Sequence, residues 1–241
     1  MNDLTQALIA AHGGRQLNVP GSEPDFATAA GVQRDVTRSL GATVAGWKVG
    51  FSADGAAVAG PLYASVVQPS PARRAVPAQG FIVEIELAFR LARDLPPRSY
   101  SRDEIIDAAS EALVGIELIR GRLGEPPGVS FGVWLADNLG NDGYVTGSGV
   151  RAFASLDLRT LPCRFEVDGK VVQEHTGGHP QGDPVEPLRA YASRPIDALG
   201  GLRAGQVVTT GSLTKPLRID RPGSIAARLD GIGEVRLELT R

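Results

Sequence analysis

Phe81-Ile82-Val83-Glu84-Ile85-Glu86-Leu87-Ala88-Phe89 is an apolar strand pattern interrupted twice by glutamate. In an extended chain successive side chains alternate between faces, so Glu84 and Glu86 point to the same side. Ionised carboxylates buried without a partner are costly, and two on one face also repel each other. No Lys or Arg lies between Pro77 and Phe89 to compensate them. The economical solution is a hard divalent cation held by oxygen, Mg²⁺ or Mn²⁺, with further ligands from elsewhere in the fold. The alternative is an exposed strand edge whose charges face water, and the continuous apolar flank argues against it.

Glu117 strengthens the metal reading because it also sits alone in an apolar run, Leu113-Val114-Gly115-Ile116-Glu117-Leu118-Ile119. As a third carboxylate it would complete one side of a coordination shell and leave the other open to water or substrate. A salt bridge to Arg120 or Arg122 is the competing explanation. Lys48 lies in the short apolar strand Val44–Phe51, between Gly46 and Gly50. Desolvation there lowers a lysine's pKa and a nearby anion raises it, so Lys48 reads as a general acid/base or an anion clamp, or else as a snorkelling surface lysine.

Thr209-Thr210-Gly211-Ser212-Leu213-Thr214 follows the strand Gln206-Val207-Val208, and free amides with hydroxyls at a strand end suit a carboxylate or oxo group. Asp137-Asn138-Leu139-Gly140-Asn141-Asp142-Gly143 reads as a turn rich in side-chain-to-backbone bonding, with Asp137 the next candidate after Lys48 for moving protons. His175 and His179 are separated by Gly177-Gly178 and followed by Pro180, so they belong to a loop and not to a helical zinc pair. The chain has no phosphate-binding glycine loop, no dinucleotide fingerprint and no serine-hydrolase elbow.

The 25 Lys and Arg nearly cancel the 27 Asp and Glu, and neither sign forms a block, so neither nucleic acid nor a membrane surface is an expected partner. A small molecule is. Cys163 is the single cysteine, which rules out an internal disulfide framework or a thiolate metal cluster and fits a reducing compartment. The acidic start Met1–Thr5 and the short apolar run Ala7–Ala11 match neither a signal peptide nor a span, so the expected location is cytoplasmic.

Local signals place helices at Asp25–Leu40, from Ser101 into the Leu113–Ile119 run through a Ser101/Glu104 capping box, and from Asp183-Pro184 as N-cap and N1 to Tyr191. Strands are expected at Val44–Phe51, Phe81–Ala92, Gly143–Thr146, Arg164–Glu174, Gln206–Thr210, Ser224–Leu229 and Glu234–Leu239, with Asp168-Gly169 as a hairpin turn. Few helices and unevenly spaced strands predict an α+β or mostly-β architecture with antiparallel sheet in the second half.

The order of motifs carries more than any one of them: Gly46-Trp47-Lys48-Val49-Gly50, Glu84-Ile85-Glu86, Gly115-Ile116-Glu117 through Arg122, Ala136-Asp137-Asn138, and Thr210-Gly211-Ser212-Leu213. This series resembles the 2-keto-4-pentenoate hydratase and 4-oxalocrotonate decarboxylase family of the fumarylacetoacetate hydrolase-like superfamily. The resemblance implies an α+β fold, a mixed and mostly antiparallel β-roll with a few flanking helices. It implies one domain over 1–241, a helix-and-strand portion at 1–75 and a β-roll core at 76–241. By the same likeness Glu84, Glu86 and Glu117 match the metal carboxylates, Lys48 the active-site lysine, and Gly211, Ser212 and Arg122 the groups around a 2-oxo acid. A homo-oligomer that uses Mg²⁺ or Mn²⁺ late in aromatic-compound degradation is implied as well. Two segments depart from the pattern: Gly60-Pro61-Leu62-Tyr63-Ala64 stands where an acid-bearing Pro-Asp-Phe-Gly is usual, and Leu139-Gly140-Asn141 replaces Ala-Ser-Ser.

Overall fold

The computed structural model describes residues 3–15, 21, 23–195, 197 and 199–241. Its helices in chain order are α1 (Asp3–His12), α2 (Phe26–Ser39), α3 (Arg102–Ala108), α4 (Phe131–Ala136) and α5 (Glu186–Ser193). The first strands are β1 (Val44–Phe51), β2 (Ala57–Tyr63), β3 (Val67–Pro69), β4 (Ala72–Ala75), β5 (Phe81–Leu91), β6 (Ala109–Ile119) and β7 (Asn141–Val150). They are followed by β8 (Pro162–Val167), β9 (Lys170–Thr176), β10 (Val207–Ser212), β11 (Leu217–Ile219), β12 (Gly223–Leu229) and β13 (Gly233–Thr240).

One sheet runs β2-β1-β10-β5-β6-β7-β3, with β11 also paired to β5, and a second runs β4-β13-β12-β8-β9. β1 with β10, β3 with β7 and β4 with β13 are parallel, and the other pairings are antiparallel. The architecture is the expected mixed, mostly antiparallel α+β fold.

β5 is buried on both faces, and its alternation decides what each face does. Phe81, Val83, Ile85, Leu87 and Phe89 join the main core with Ile225, Val235 and Leu237 of the second sheet. Glu84, Glu86 and Ala88 take the opposite face. There Ala88, Leu113, Tyr144, Val207 and Leu62 make a small apolar cluster next to the carboxylates. α1, α2 and α4 pack together over Val58 of β2 in a third cluster.

Local signals act where they were read. Asp25 Oδ1 accepts the Thr28 amide at 2.7 Å to start α2, and the reciprocal Ser101/Glu104 capping box starts α3. Asp168 (φ 51°) and Gly169 (φ 71°) both take the left-handed conformation that the two-residue turn between β8 and β9 needs.

Two expectations change. The second helix stops at Ala108, because the residues that follow are claimed by the β5 ladder, in which Leu91 pairs Ala109 and Phe89 pairs Ala112. The third helix begins at Glu186, not at Pro184. Asp183 accepts the Val185 amide (3.1 Å) and binds Arg102 (2.7 Å) and Arg159 (3.0 Å), so Asp183–Val185 is a side-chain-stabilised turn. The Ala7–Ala11 run belongs to the unexpected helix α1, whose Leu4, Ala7, Leu8 and Ala10 are buried. No described helix is long and apolar enough to cross a membrane.

Candidate metal centre

Four neighbouring strands assemble the site by register. Lys48 on β1 pairs with Thr209 on β10, Thr209 pairs with Ala88 on β5, and Ser212 pairs with Glu86. On the other side of β5, Glu84 lies directly opposite Glu117 of β6, and Glu86 lies opposite Gly115. Like charges directly across an antiparallel pair are destabilising, so carboxylates in this register need compensation from a cation.

Oxygens of Glu84, Glu86 and Glu117 lie within 4.8 Å of one another. Glu86 and Glu117 are fully buried, and the Glu84 side chain is 14% exposed. Lys48 Nζ stands 2.7 Å from Glu117 Oε2 and 4.0 Å from Glu84 Oε2. Each buried carboxylate is also held by a neutral donor. Asn141 Nδ2 donates to Glu117 Oε1 at 2.9 Å, and Thr209 Oγ1 donates to Glu86 Oε2. Among the described residues, Glu86 Oε1 has no hydrogen-bond partner. A buried carboxylate oxygen without a donor, beside two more carboxylates, fits the donor set a hard divalent ion selects.

The electrostatics agree. Burial raises the Glu84 pKa against the pull of Lys48, and burial followed by the charge of Glu117 raises that of Glu86 well above the ordinary range. Burial alone would lower the Lys48 pKa, but Glu117, Glu84 and Glu86 outweigh it and hold it above the ordinary lysine value. Lys48 is therefore an ammonium here, and the desolvation-lowered state allowed by the sequence is not met. The partners of Glu117 are Lys48 and Asn141, not Arg120 or Arg122.

Asp137 and Arg122 pair with each other. Asp137 Oδ1 accepts Arg122 Nη1 at 2.9 Å, and Oδ2 accepts the Arg122 amide at 2.6 Å. Arg122 Nη2 also binds the Asn141 carbonyl (2.9 Å) and Asp142 Oδ1 (3.2 Å), so Arg122 is joined to the cluster through Asn141. The turn after Asp137 abuts the lysine strand, since a Cβ on Gly60, the partner of Lys48, would lie 2.6 Å from the Asn138 carbonyl oxygen.

His12 packs on Tyr63 beside this network, and burial, then the charge of Arg122, lowers its pKa to about 3. The unfolded chain takes up this proton near 6.5 and the folded chain does not, so the contribution is constant above pH 6.5 and stability falls as pH drops from 6.5 towards about 3. Replacing His12 by Gln is expected to flatten that part of a melting-temperature profile. An unchanged slope would remove His12 as its source.

At the other end of the site Gly211 has φ 122°, and Ser212 Oγ bonds the carbonyl of Thr214 at 2.8 Å. Two histidines pin this turn. His179 Nδ1 accepts the Gln181 amide, so its Nε2 carries the hydrogen and donates to the Thr210 carbonyl at 3.0 Å. His175 Nε2 donates to the Leu213 carbonyl at 2.7 Å. Sequence reasoning left both histidines without a role, because separations of 31 and 38 residues leave no local signal. It also missed Asn141 and Tyr144. A cleft of about 870 Å³ is lined by Glu84 of the cluster together with His175, Pro180, Ser212, Thr214 and Lys215 among others.

A profile of the fumarylacetoacetate (FAA) hydrolase C-terminal family matches residues 29–240. The 2-keto-4-pentenoate hydratase of Burkholderia vietnamiensis is 28% identical over 221 residues, covering 87% of this chain and 83% of its own. That of Paraburkholderia phymatum is 28% identical over 217 residues, 85% of this chain and 81% of its own. The structure of 4-oxalocrotonate decarboxylase from Pseudomonas putida G7, complexed with magnesium and adipate, aligns with TM-score 0.85 at 21% identity over 98% of this chain and 96% of that one.

Proposed function

The chain belongs to the fumarylacetoacetate hydrolase family, and from that premise we propose that it is a divalent-metal-dependent hydratase adding water to a 2-hydroxy-2,4-dienoate. The observation that carries this reading is the buried, unpartnered Glu86 Oε1 grouped with Glu84 and Glu117 beside Lys48. The curated relatives that share most of the chain's length are hydratases of this class. The setting we assign is a cytoplasmic homo-oligomer in the breakdown of aromatic compounds.

Glu84, Glu86 and Glu117 would hold Mg²⁺ or Mn²⁺. When bound, such an ion supplies Lewis-acid polarisation of the substrate's carboxylate and 2-oxygen. Lys48 holds a proton at Nζ and delivers it to the terminal carbon while the dienol gives up its hydroxyl proton, which returns to the lysine, leaving a conjugated 2-oxo acid. Water then adds across the remaining alkene, its hydroxyl at the carbon farther from the carbonyl and its proton at the nearer one. Gly211 and Ser212 line the substrate side of β10, where the two histidines fix the backbone. Arg122 acts through Asn141, which it holds beneath Glu117.

Decarboxylation of a vinylogous 2-oxo acid is the second reading. It needs the same carboxylate cluster and no activated water, and Gly60–Ala64 carries no acid that could handle one. The deciding experiment is turnover of a panel of dienoates and 2-oxo acids after EDTA treatment, with and without added Mg²⁺ or Mn²⁺. Metal-dependent loss of the dienol with formation of a hydroxylated oxo acid supports the hydratase. Stoichiometric CO₂ release transfers the assignment to the decarboxylase, and full activity in EDTA removes the metal.

A further inference from the structure

Glu86 is held from behind by a chain of hydroxyls. Tyr144 OH donates to Thr209 Oγ1 at 3.2 Å, and Thr209 Oγ1 donates to Glu86 Oε2. All three side chains are sealed from solvent. A threonine hydroxyl carries one hydrogen and a carboxylate that holds a cation only accepts, so the Thr209 hydrogen goes to Glu86 and its lone pair is left for Tyr144. Every hydrogen in the chain therefore points towards the carboxylate.

The backbone is arranged to allow this chain. Tyr144 on β7 lies directly opposite Glu117, not Glu86. Its hydroxyl reaches Thr209 by passing over Gly115, the residue opposite Glu86, where a Cβ would collide with that hydroxyl. The Tyr144 ring rests in the apolar cluster of Ala88, Leu113, Leu62 and Val207, which fixes its direction.

We infer that Thr209, backed by Tyr144 across Gly115, is a positioning residue that occupies Oε2 of Glu86 and so presents Oε1 to the cation. The inference rests on the reading of the three glutamates as cation ligands. The terminal torsion of a glutamate is broad and two-fold, so an unclamped carboxylate must be ordered by the ion itself, and that ordering subtracts from affinity. A clamp that is already in place removes the cost. Because the donors are neutral, they do so without cancelling the charge that attracts the ion.

The test is calorimetric titration of the metal-free protein with Mn²⁺ for the wild type, Glu86→Gln, Thr209→Val, Thr209→Ser and Tyr144→Phe. Thr209→Val keeps the shape and removes the donor, and outer-shell partners of this kind are worth ~10–100-fold in metal affinity. A weakening of that order is expected, with Thr209→Ser restoring wild-type binding and Tyr144→Phe shifted the same way by less. Thr209→Val binding Mn²⁺ like the wild type while Glu86→Gln does not would overturn the positioning role and leave the metal site standing. Equal weakening in Thr209→Val and Thr209→Ser would overturn it too, since the lost quantity would then be packing. A wild type that takes up no Mn²⁺ would bring down the metal reading and this inference together. Should Thr209→Val fail to fold, Tyr144→Phe, which removes one hydroxyl, is judged by the same criterion.

Discussion

Lys48→Met is expected to lower kcat by ~10²–10⁴-fold while leaving Mn²⁺ binding largely intact, because a general acid acts on the barrier and contributes little to ground-state affinity. Methionine keeps the length and apolar stem of the side chain and removes only the ammonium. In the wild type that ammonium lies 2.7 Å from Glu117 Oε2, and the surrounding carboxylates keep it protonated despite its burial. The same substitution leaves Glu117 without its charge partner in the metal-free protein, and a buried charge stripped of its partner is strongly destabilising. The melting temperature in EDTA should therefore drop, and added Mn²⁺ should restore it. A variant with a raised KM and unchanged kcat would make Lys48 an anion clamp. The proton carrier would then be sought at Asp137, which Arg122 would have to release.

Glu86→Gln is expected to weaken Mn²⁺ binding and activity, with activity partly recovered at high metal concentration, and at the same time to stabilise the metal-free protein at alkaline pH. Burial and the neighbouring charge of Glu117 raise the folded-state pKa of Glu86 above 4.5. For a carboxylate raised in this way the stabilising contribution is fully present below the unfolded value and is lost as pH rises through the folded one. Glutamine has no proton to lose, so the variant escapes that loss. Melting curves of the two proteins should cross, with the variant higher in EDTA at alkaline pH and the wild type higher in excess Mn²⁺. Equal Mn²⁺ affinity in the two proteins would sink Glu86 as a ligand.

The carboxylate cluster was legible because it is written in a local period. Alternation along Phe81–Phe89 puts Glu84 and Glu86 on one side whatever the partner strand, and the solitary Glu117 obeys the same rule in its own strand. The Val44–Phe51 strand, the Asp25 cap, the Ser101/Glu104 box and the Asp168-Gly169 turn were legible for the same reason, since each is decided within a few residues. The short strands β2, β3, β4 and β11 and the helices α1 and α4 left no sufficient pattern. They are ordered by what they pack on.

What the sequence determined by itself is therefore a set of faces: which side chains must be buried together, and which charges must find a counter-charge. What only the tertiary structure decided is who answers them. Lys48 comes to Glu117 because β1 runs parallel to β10, which in turn joins β5. Thr209 reaches Glu86 across 123 residues, Tyr144 reaches Thr209 across 65, and Asn141, not a neighbouring arginine, takes Glu117 Oε1. Hydrogen bonds of this kind depend on distances of a few tenths of an ångström between strands far apart in the chain. Strand periodicity fixes a direction for each side chain and leaves its partner open, so the choice of partner belongs to the packing of the whole sheet.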